Sequence, residues 1–270
     1  MPIVQAITSR DNPLLQKLRK LVADPGAYRK LGELWVEGDH LCDAALQRGQ
    51  AVPLAVIADT AWCGEQGQGA TTDPVAQRLS QLAEQARKVV VLPEALMRTV
   101  SSLESPARLG FVLPLPQDTA VRPGLRTVVL DRLQDAGNVG TVLRSASALG
   151  VQQVVALKGT AALWSPKVLR AGMGAHWALH LVEQSPLEAL DALQVPLVAT
   201  SSHADHQLHQ APLPEPCAWV MGHEGQGVQA ALMARCAMTV GIPQPGGEES
   251  LNVGAAASIC LYESMRRRLV

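Results

Sequence analysis

Ile242-Pro243-Gln244-Pro245-Gly246-Gly247-Glu248-Glu249-Ser250-Leu251-Asn252-Val253-Gly254-Ala255-Ala256-Ala257 is the stretch whose reading decides the fold. It follows an apolar run, Met238 to Ile242, and leads into a long helical pattern from Leu251 to Arg268. Two prolines and two glycines make its first half a loop, and Ser250 reads as the N-cap of the helix. The first helical residues are small, so another backbone can pack closely against Gly254 to Ala257. A strand, a tight loop and a returning helix are the repeating unit of a parallel α/β sheet.

The same alternation extends upstream. Apolar runs at Thr127–Leu130, Gln153–Leu157, Pro196–Thr200 and Ala218–Met221 predict strands, and Gly140–Leu149, Pro166–Ala171, Leu187–Leu193 and Val228–Cys236 predict helices. The segment 114–124 carries Pro114, Pro116, Pro123 and Gly124 and reads as a linker. It separates a domain at 1–115 from a second at 116–270. The first domain is a smaller α/β unit. Asn12-Pro13 opens a helix with Leu14, Leu15, Leu18, Leu21 and Val22 on one face, followed by strands at Glu33–Gly38, Leu54–Ala58, Val89–Leu92 and Arg108–Leu113. Helices are expected at His40–Arg48, 75–87 and 94–100, with a polar loop at 64–73.

Composition bounds the function. The chain has 270 residues, 47% of them hydrophobic and only 3% aromatic, so the core is aliphatic. The net charge of −1 means that any basic surface for nucleic acid is local. Five cysteines without a C-x-x-C pair argue against a disulfide framework or a zinc ribbon. The N-terminus lacks a charged segment followed by an apolar run, and no stretch approaches the ~20 apolar residues of a membrane helix, so a cytoplasmic location without a membrane is expected.

Ligands of open α/β sheets bind beyond the carboxyl ends of the strands. Three loops there have unusual compositions. The first, Asp131 to Gly140, contains Asn138 between Gly137 and Gly140, with Arg144 one turn into the next helix. Arg144 could clamp a phosphate; the blander reading is a glycine-rich turn with Asn138 as helix cap. The second, Gly222-His223-Glu224-Gly225-Gln226-Gly227, leaves the backbone open to a ligand and offers one carboxylate, Glu224, which could equally be a favourable charge near a helix start. The third is the stretch quoted above. There is no G-x-G-x-x-G after a strand and no P-loop. Ser201-Ser202-His203 is not a nucleophile elbow. His203, His206 and His209 read as a surface loop, with no metal expected, and His176 and His180 as packing residues on one face of a strand.

Together the three loops resemble the signature motifs of the SpoU (TrmH-like) family of SPOUT RNA methyltransferases. Asn138-x-Gly140-x-x-x-Arg144 matches the first motif, Gly222-x-Glu224-x-x-Gly227 the second, and Ile242-Pro243 with Ser250-Leu251-Asn252-Val253 the third. Ser165 to Ala175 is similar to the intervening segment. Ala136 stands where the family usually has proline. Ile7 to Pro13 and Trp35-Val36-Glu37-Gly38 are similar to the substrate-binding domain often fused to this family.

The resemblance implies a parallel sheet with a deep C-terminal trefoil knot, preceded by a small L7Ae-like α/β domain, and a homodimer built on the knot region. It implies methyl transfer from S-adenosylmethionine to a ribose 2′-hydroxyl, with 23S ribosomal RNA favoured and transfer RNA, or a non-catalytic RNA-binding role, as alternatives. It assigns Thr200, Gly222, Ile242 and Leu251 to the cofactor, and Arg144, Asn138, Glu224, Ser250 and Asn252 to catalysis. A guanidinium with a pKa above ~12 is a poor base, so Arg144 is read as a phosphate clamp and alkoxide stabiliser. Residues 1–35 hold six cations, Arg10, Lys17, Arg19, Lys20, Arg29 and Lys30, against three acids, which suits RNA phosphates or a solvated face alike. Arg266-Arg267-Arg268 reads as helix C-terminal charge or RNA contact.

Overall fold

A computed structural model describes residues 1–64, 73–101, 103–201, 204, 206–246 and 250–269. The chain divides into two compact units, one of residues 1–116 with 164–170, the other of 117–163 with 171–270. Pro114 ends a strand, the Leu115 amide donates to the Gly32 carbonyl, and the Arg122 amide donates to Gln153 Oε1 at 2.8 Å. Residues 164–170 group with the first unit, although sequence spacing placed them in the second.

The first unit contains β1 (Ile3–Ala6), α1 (Pro13–Ala23), α2 (Ala27–Leu31), β2 (Glu33–Glu37), α3 (Asp39–Gln47), β3 (Leu54–Ala58), α4 (Pro74–Ala83), β4 (Lys88–Leu92), α5 (Glu94–Met97) and β5 (Leu109–Pro114). Its sheet has the order β1-β4-β3-β5-β2, with β5 antiparallel to both neighbours. Helix α1 starts where Asn12 Oδ1 accepts from the Leu14 amide at 2.9 Å, with proline at the first turn, and it buries Leu15, Leu18 and Leu21. Strand β1 was not legible from sequence. Its side chains are mostly exposed, so it carries no apolar signature, and its backbone pairing to β4 holds it.

The second unit contains β6 (Thr127–Leu130), α6 (Ala136–Ala148), β7 (Gln153–Leu157), the end of α7 (Pro166–Gly172), β8 (His180–Ser185), β9 (Leu197–Thr200), β10 (His206–Gln207), β11 (Ala218–Met221), α8 (Ala230–Met233), β12 (Met238–Gly241) and α9 (Val253–Arg268). Its seven strands run in the order β10-β12-β9-β11-β6-β7-β8, and every pairing is parallel. Fully buried runs such as Thr127–Leu130 and Ala218–Met221 are what a sheet covered on both faces requires. Val129, Val155, Ala199, Val220 and Leu232 form its aliphatic core.

Several boundaries differ from expectation. Helix α6 starts at Ala136, with Asp135 rather than Asn138 as its cap, because the Asp135 carboxylate reaches the Asn138 amide at 2.7 Å. Helix α9 starts at Val253, and its cap is Asn252, not Ser250: Asn252 Oδ1 accepts from Gly254 and Ala255 amides at 2.9 and 3.2 Å. His176 does not share a strand with His180. It lies in a 3₁₀ turn, buried, with its Nε2 2.9 Å from the Leu163 carbonyl. Burial holds its pKa down at about 4, against that bond. His206 starts β10 rather than lying in a loop, and His203 lies outside the described residues.

Candidate active site

The carboxyl ends of β9, β11 and β12 open toward a cavity of about 330 Å³. Thr200, Gly222, Ile242 and Leu251 line it, as do Glu224, Ser250 and Asn252. Neither Asn138 nor Arg144 is part of its wall. The six cations of residues 1–35 belong to the first unit.

The three loops are joined by one chain of side-chain hydrogen bonds. Glu224 accepts from Asn138 Nδ2 at 3.3 Å and from the amides of Gln134 and Asp135 at 3.3 and 3.2 Å. Asn138 Oδ1 accepts from Asn252 Nδ2 at 2.9 Å, and Asn252 caps α9. Desolvation pushes the Glu224 carboxyl up, but its own amide, Asn138 and the two loop amides outweigh that and hold it below the usual carboxylate range. Glu224 is thus a charged anchor and a weak proton acceptor.

Two glycines are dictated by close approach. A Cβ on Gly222 would lie 2.4 Å from the Gly227 carbonyl carbon and the Val228 nitrogen, inside the turn that the His223 and Gly227 backbones close by mutual hydrogen bonds. A Cβ on Gly140 would lie 2.3 Å from Ala171 Cβ. Any side chain there would push α6, and Arg144 with it, away from the Ala171 backbone.

Other residues of the site gave weak signals in the sequence. Asp131, wholly buried at the end of β6, receives Arg132 Nε at 3.1 Å, the Gln229 amide at 2.7 Å and Gln229 Nε2 at 2.8 Å. Arg132, held at φ 61°, reaches Gln226 Oε1 at 3.1 Å. These bonds fasten the glycine-rich second loop to the end of the neighbouring strand. His223 Nδ1 accepts from the Gly225 and Gln226 amides at 3.0 and 3.2 Å. The neutral ring therefore carries its proton on Nε2 and has no lone pair to offer there. A polar side chain just before glycines is the usual signature of such local capping. Gln244, also in the cavity wall, has a buried Oε1 that accepts no hydrogen bond from the described residues.

Arg144 is exposed and makes no hydrogen bond or ion pair among the described residues. The basic residues of the first unit are more engaged. Lys17 pairs with Glu33, Arg19 donates to Thr99 Oγ1 and to the Arg10 carbonyl, and Arg29 stacks 5.0 Å over the Tyr28 ring. Lys20 and Lys30 are exposed. At the C-terminus, Arg267 donates to the Leu208 carbonyl at 2.8 Å and Arg268 to that of Leu149 at 3.0 Å, so both serve the fold. Among the described residues, no group of His, Cys, Asp and Glu is arranged to hold a metal ion, and no helix is long and apolar enough to cross a membrane.

Comparison with known proteins agrees with this geometry. The model of the SpoU rRNA Methylase family matches residues 126–262, which span all three loops. An uncharacterized tRNA/rRNA methyltransferase of Synechocystis is 34% identical over 98% of this chain and 95% of its own length. The 23S rRNA (guanosine(2553)-2′-O)-methyltransferase of Bacillus subtilis is 28% identical over 86% of this chain and 88% of its own length. The SpoU methyltransferase AviRb of Streptomyces viridochromogenes, solved in complex with AdoMet, superposes with a TM-score of 0.79 at 25% identity, covering 96% of this chain and 99% of that one. With the second and third motif loops lining one cavity, the first hydrogen-bonded to both, and the family match running through all three, the chain belongs to the SpoU rRNA methylase family.

Proposed function

We propose that this chain transfers a methyl group from S-adenosylmethionine to a ribose 2′-hydroxyl of large-subunit ribosomal RNA. The observation that carries the reading is the chain Glu224–Asn138–Asn252, which ties the three loops together beside the cavity. The relative of Bacillus subtilis that acts on 23S rRNA and the AdoMet complex of the Streptomyces enzyme support the substrate and the cofactor. The cavity has the size of a small-ligand site, and Val228, Ile242 and Leu251 give it apolar walls beside the bare backbone of Gly222. Those features fit a nucleoside-bearing cofactor, which Thr200, Gly222, Ile242 and Leu251 would hold. When bound, S-adenosylmethionine supplies an electrophilic methyl group on a sulfonium.

The chain's own residues then have to orient the ribose and accommodate a proton. Arg144, with no partner among the described residues, clamps the RNA phosphate and stabilises the developing alkoxide. Glu224 and Asn138 have their polar atoms engaged with each other and with the loops, so they position rather than react. Asn252 fixes the start of α9, and Ser250 stands exposed beside it for the ribose. His223 Nδ1, which accepts two amides of its own turn, holds the second loop in shape.

In the same reading residues 1–115 form an L7Ae-like RNA-binding domain and residues 116–270 form the catalytic domain, whose C-terminal stretch threads a trefoil knot. The strand order β12-β9-β11 supports the knot, because the chain passes over β9 to form both neighbours later. The enzyme works as a cytoplasmic homodimer, a reading supported by Ile259 and Tyr262, exposed on α9 at 40% and 54%. A 2′-O-methylation map of total RNA from cells with and without the gene tests the proposal. A ribosomal position that loses its methyl group supports it. Loss confined to transfer RNA moves the substrate, and a map without change rejects the activity.

A further inference from the structure

Arg132 is held in the left-handed region of backbone space, at φ 61°. A side chain there costs roughly fivefold or more in the folding equilibrium. Such a conformation persists where the surroundings over-determine it, and residues of this kind gather at functional sites. Three bonds hold Arg132. Its amide donates to Thr160 Oγ1, its Nε to the buried carboxylate of Asp131, and its Nη1 to Gln226 Oε1, each at 3.1 Å. The first two fasten the residue to the ends of β6 and β7. The third carries that rigidity to the second motif loop, 94 residues away.

The loop does not need Arg132 for its shape. The His223 and Gly227 backbones close it, and His223 Nδ1 takes the Gly225 and Gln226 amides. What remains to be fixed is where the closed turn stands. Glu224 anchors one side of it, on Asn138 and the Gln134 and Asp135 amides, and none of those bonds involves Arg132. Gln226 anchors the other side. It lies between Gly225 and Gly227, whose backbones have the most freedom to swing, and Gly227 and Val228 beyond it line the cavity. Resting on the methyltransferase reading above, we propose that Arg132 is a positioning residue for the methyl donor. Acting through Gln226, it sets the turn of residues 222–228 against the cavity and thereby sets the affinity for the cofactor. The chain Glu224–Asn138–Asn252 keeps its own bonds.

Calorimetry of the full chain with S-adenosylhomocysteine tests this. Gln226 is exposed and lies outside the cavity wall, so Gln226→Met removes the acceptor of Arg132 without touching the core. It is expected to weaken binding about tenfold and to melt at the wild-type temperature. Gln226→Glu supplies an acceptor again and is expected to stay within about twofold of wild type, a rescue that a general effect on the turn would not give. Arg132→Met is expected to weaken binding tenfold or more. Adding Gln226→Met to it should cost no more than about a further twofold, because the bond is already gone. Wild-type affinity in Gln226→Met would overturn the assignment, as would losses that multiply in the double variant. A Gln226→Glu protein as weak as Gln226→Met would overturn it too, and so would a melting temperature that falls together with affinity in Gln226→Met. If Arg132→Met does not fold, the two Gln226 variants decide alone. Those outcomes leave wild-type binding intact and reach this assignment only. Failure of the wild-type chain to bind S-adenosylhomocysteine at all would overturn the cofactor reading and this assignment with it.

Discussion

The third turn of α6 and the last turn of α9 both carry arginine, and the fold uses them in opposite ways. Arg267 and Arg268 point at the carbonyls of Leu208 and Leu149, and Arg267 also pairs with Glu263. Arg144 has no partner among the described residues. The same division runs through the first unit, where Lys17 and Arg19 are engaged within the fold and Lys20 and Lys30 are not. A cation already held by a carboxylate or a carbonyl has part of its hydrogen-bonding capacity spent, so positive charge in the sequence overstates the charge that a substrate meets.

Arg144→Ala gives the sharpest test of that contrast. Turnover should fall by about 10²–10³-fold, the usual loss when one transition-state donor is removed, while cofactor affinity and melting temperature stay near wild type. Single-turnover kinetics with calorimetry would check it, and a parallel fall in cofactor affinity would place Arg144 among the engaged arginines.

His176 is the opposite extreme, a group wholly committed to the fold. Its pKa is held at about 4 by burial, whereas the unfolded chain takes up the proton near 6.5. The unfolded state therefore binds more protons as pH falls. Stability should be full above about pH 6.5 and be lost on the way down to pH 4, by roughly 3 kcal/mol. Urea titrations at several pH values would show the slope, and His176→Gln should flatten it within that window without changing the chemistry.

Asn138→Ala cuts the chain between Glu224 and Asn252. It should lower turnover by about 10-fold to 30-fold and weaken the cofactor together with it, since two hydrogen bonds of the loop scaffold disappear. An unchanged cofactor affinity would mean that Asn138 serves the RNA side alone.

The smallest effects concern the first unit. Lys20→Ala and Lys30→Ala should each flatten the plot of log RNA affinity against log salt by a slope of about 1. Lys17→Ala should leave the slope alone and cost at most about 1 kcal/mol of stability through the half-exposed pair with Glu33. A filter-binding salt series separates the two. Equal slopes for Lys17 and Lys20 would erase the distinction between engaged and available cations.

The motif loops were legible because their chemistry is local. Gly140, Gly222 and Gly227 stand where a Cβ would collide or where φ is positive, and such positions leave a mark in the residue itself. The caps were misread for a related reason. Asp135 and Asn138, and likewise Ser250 and Asn252, are equally good capping side chains close together, and a shift of three residues or two separates the choices. Strand β1 left no apolar pattern because its stability comes from backbone pairing with β4.

The amino-acid sequence alone determined the alternation of buried strands and helices, the three loops beyond the strand ends, and the residue types available there. These follow from periodicity and from backbone freedom, which act over a few residues. The tertiary structure decided which of those residues are already engaged. Glu224 lies 86 residues from Asn138, and Asn252 lies 114 residues from it, yet the three form one hydrogen-bonded chain. The parallel order that places β11 beside β6 brings the first two loops together, and the packing of α9 against α6 brings the third. A side chain's partner is set by such long-range proximity, so the availability of Arg144 and the engagement of Arg267 could be read only from the folded chain.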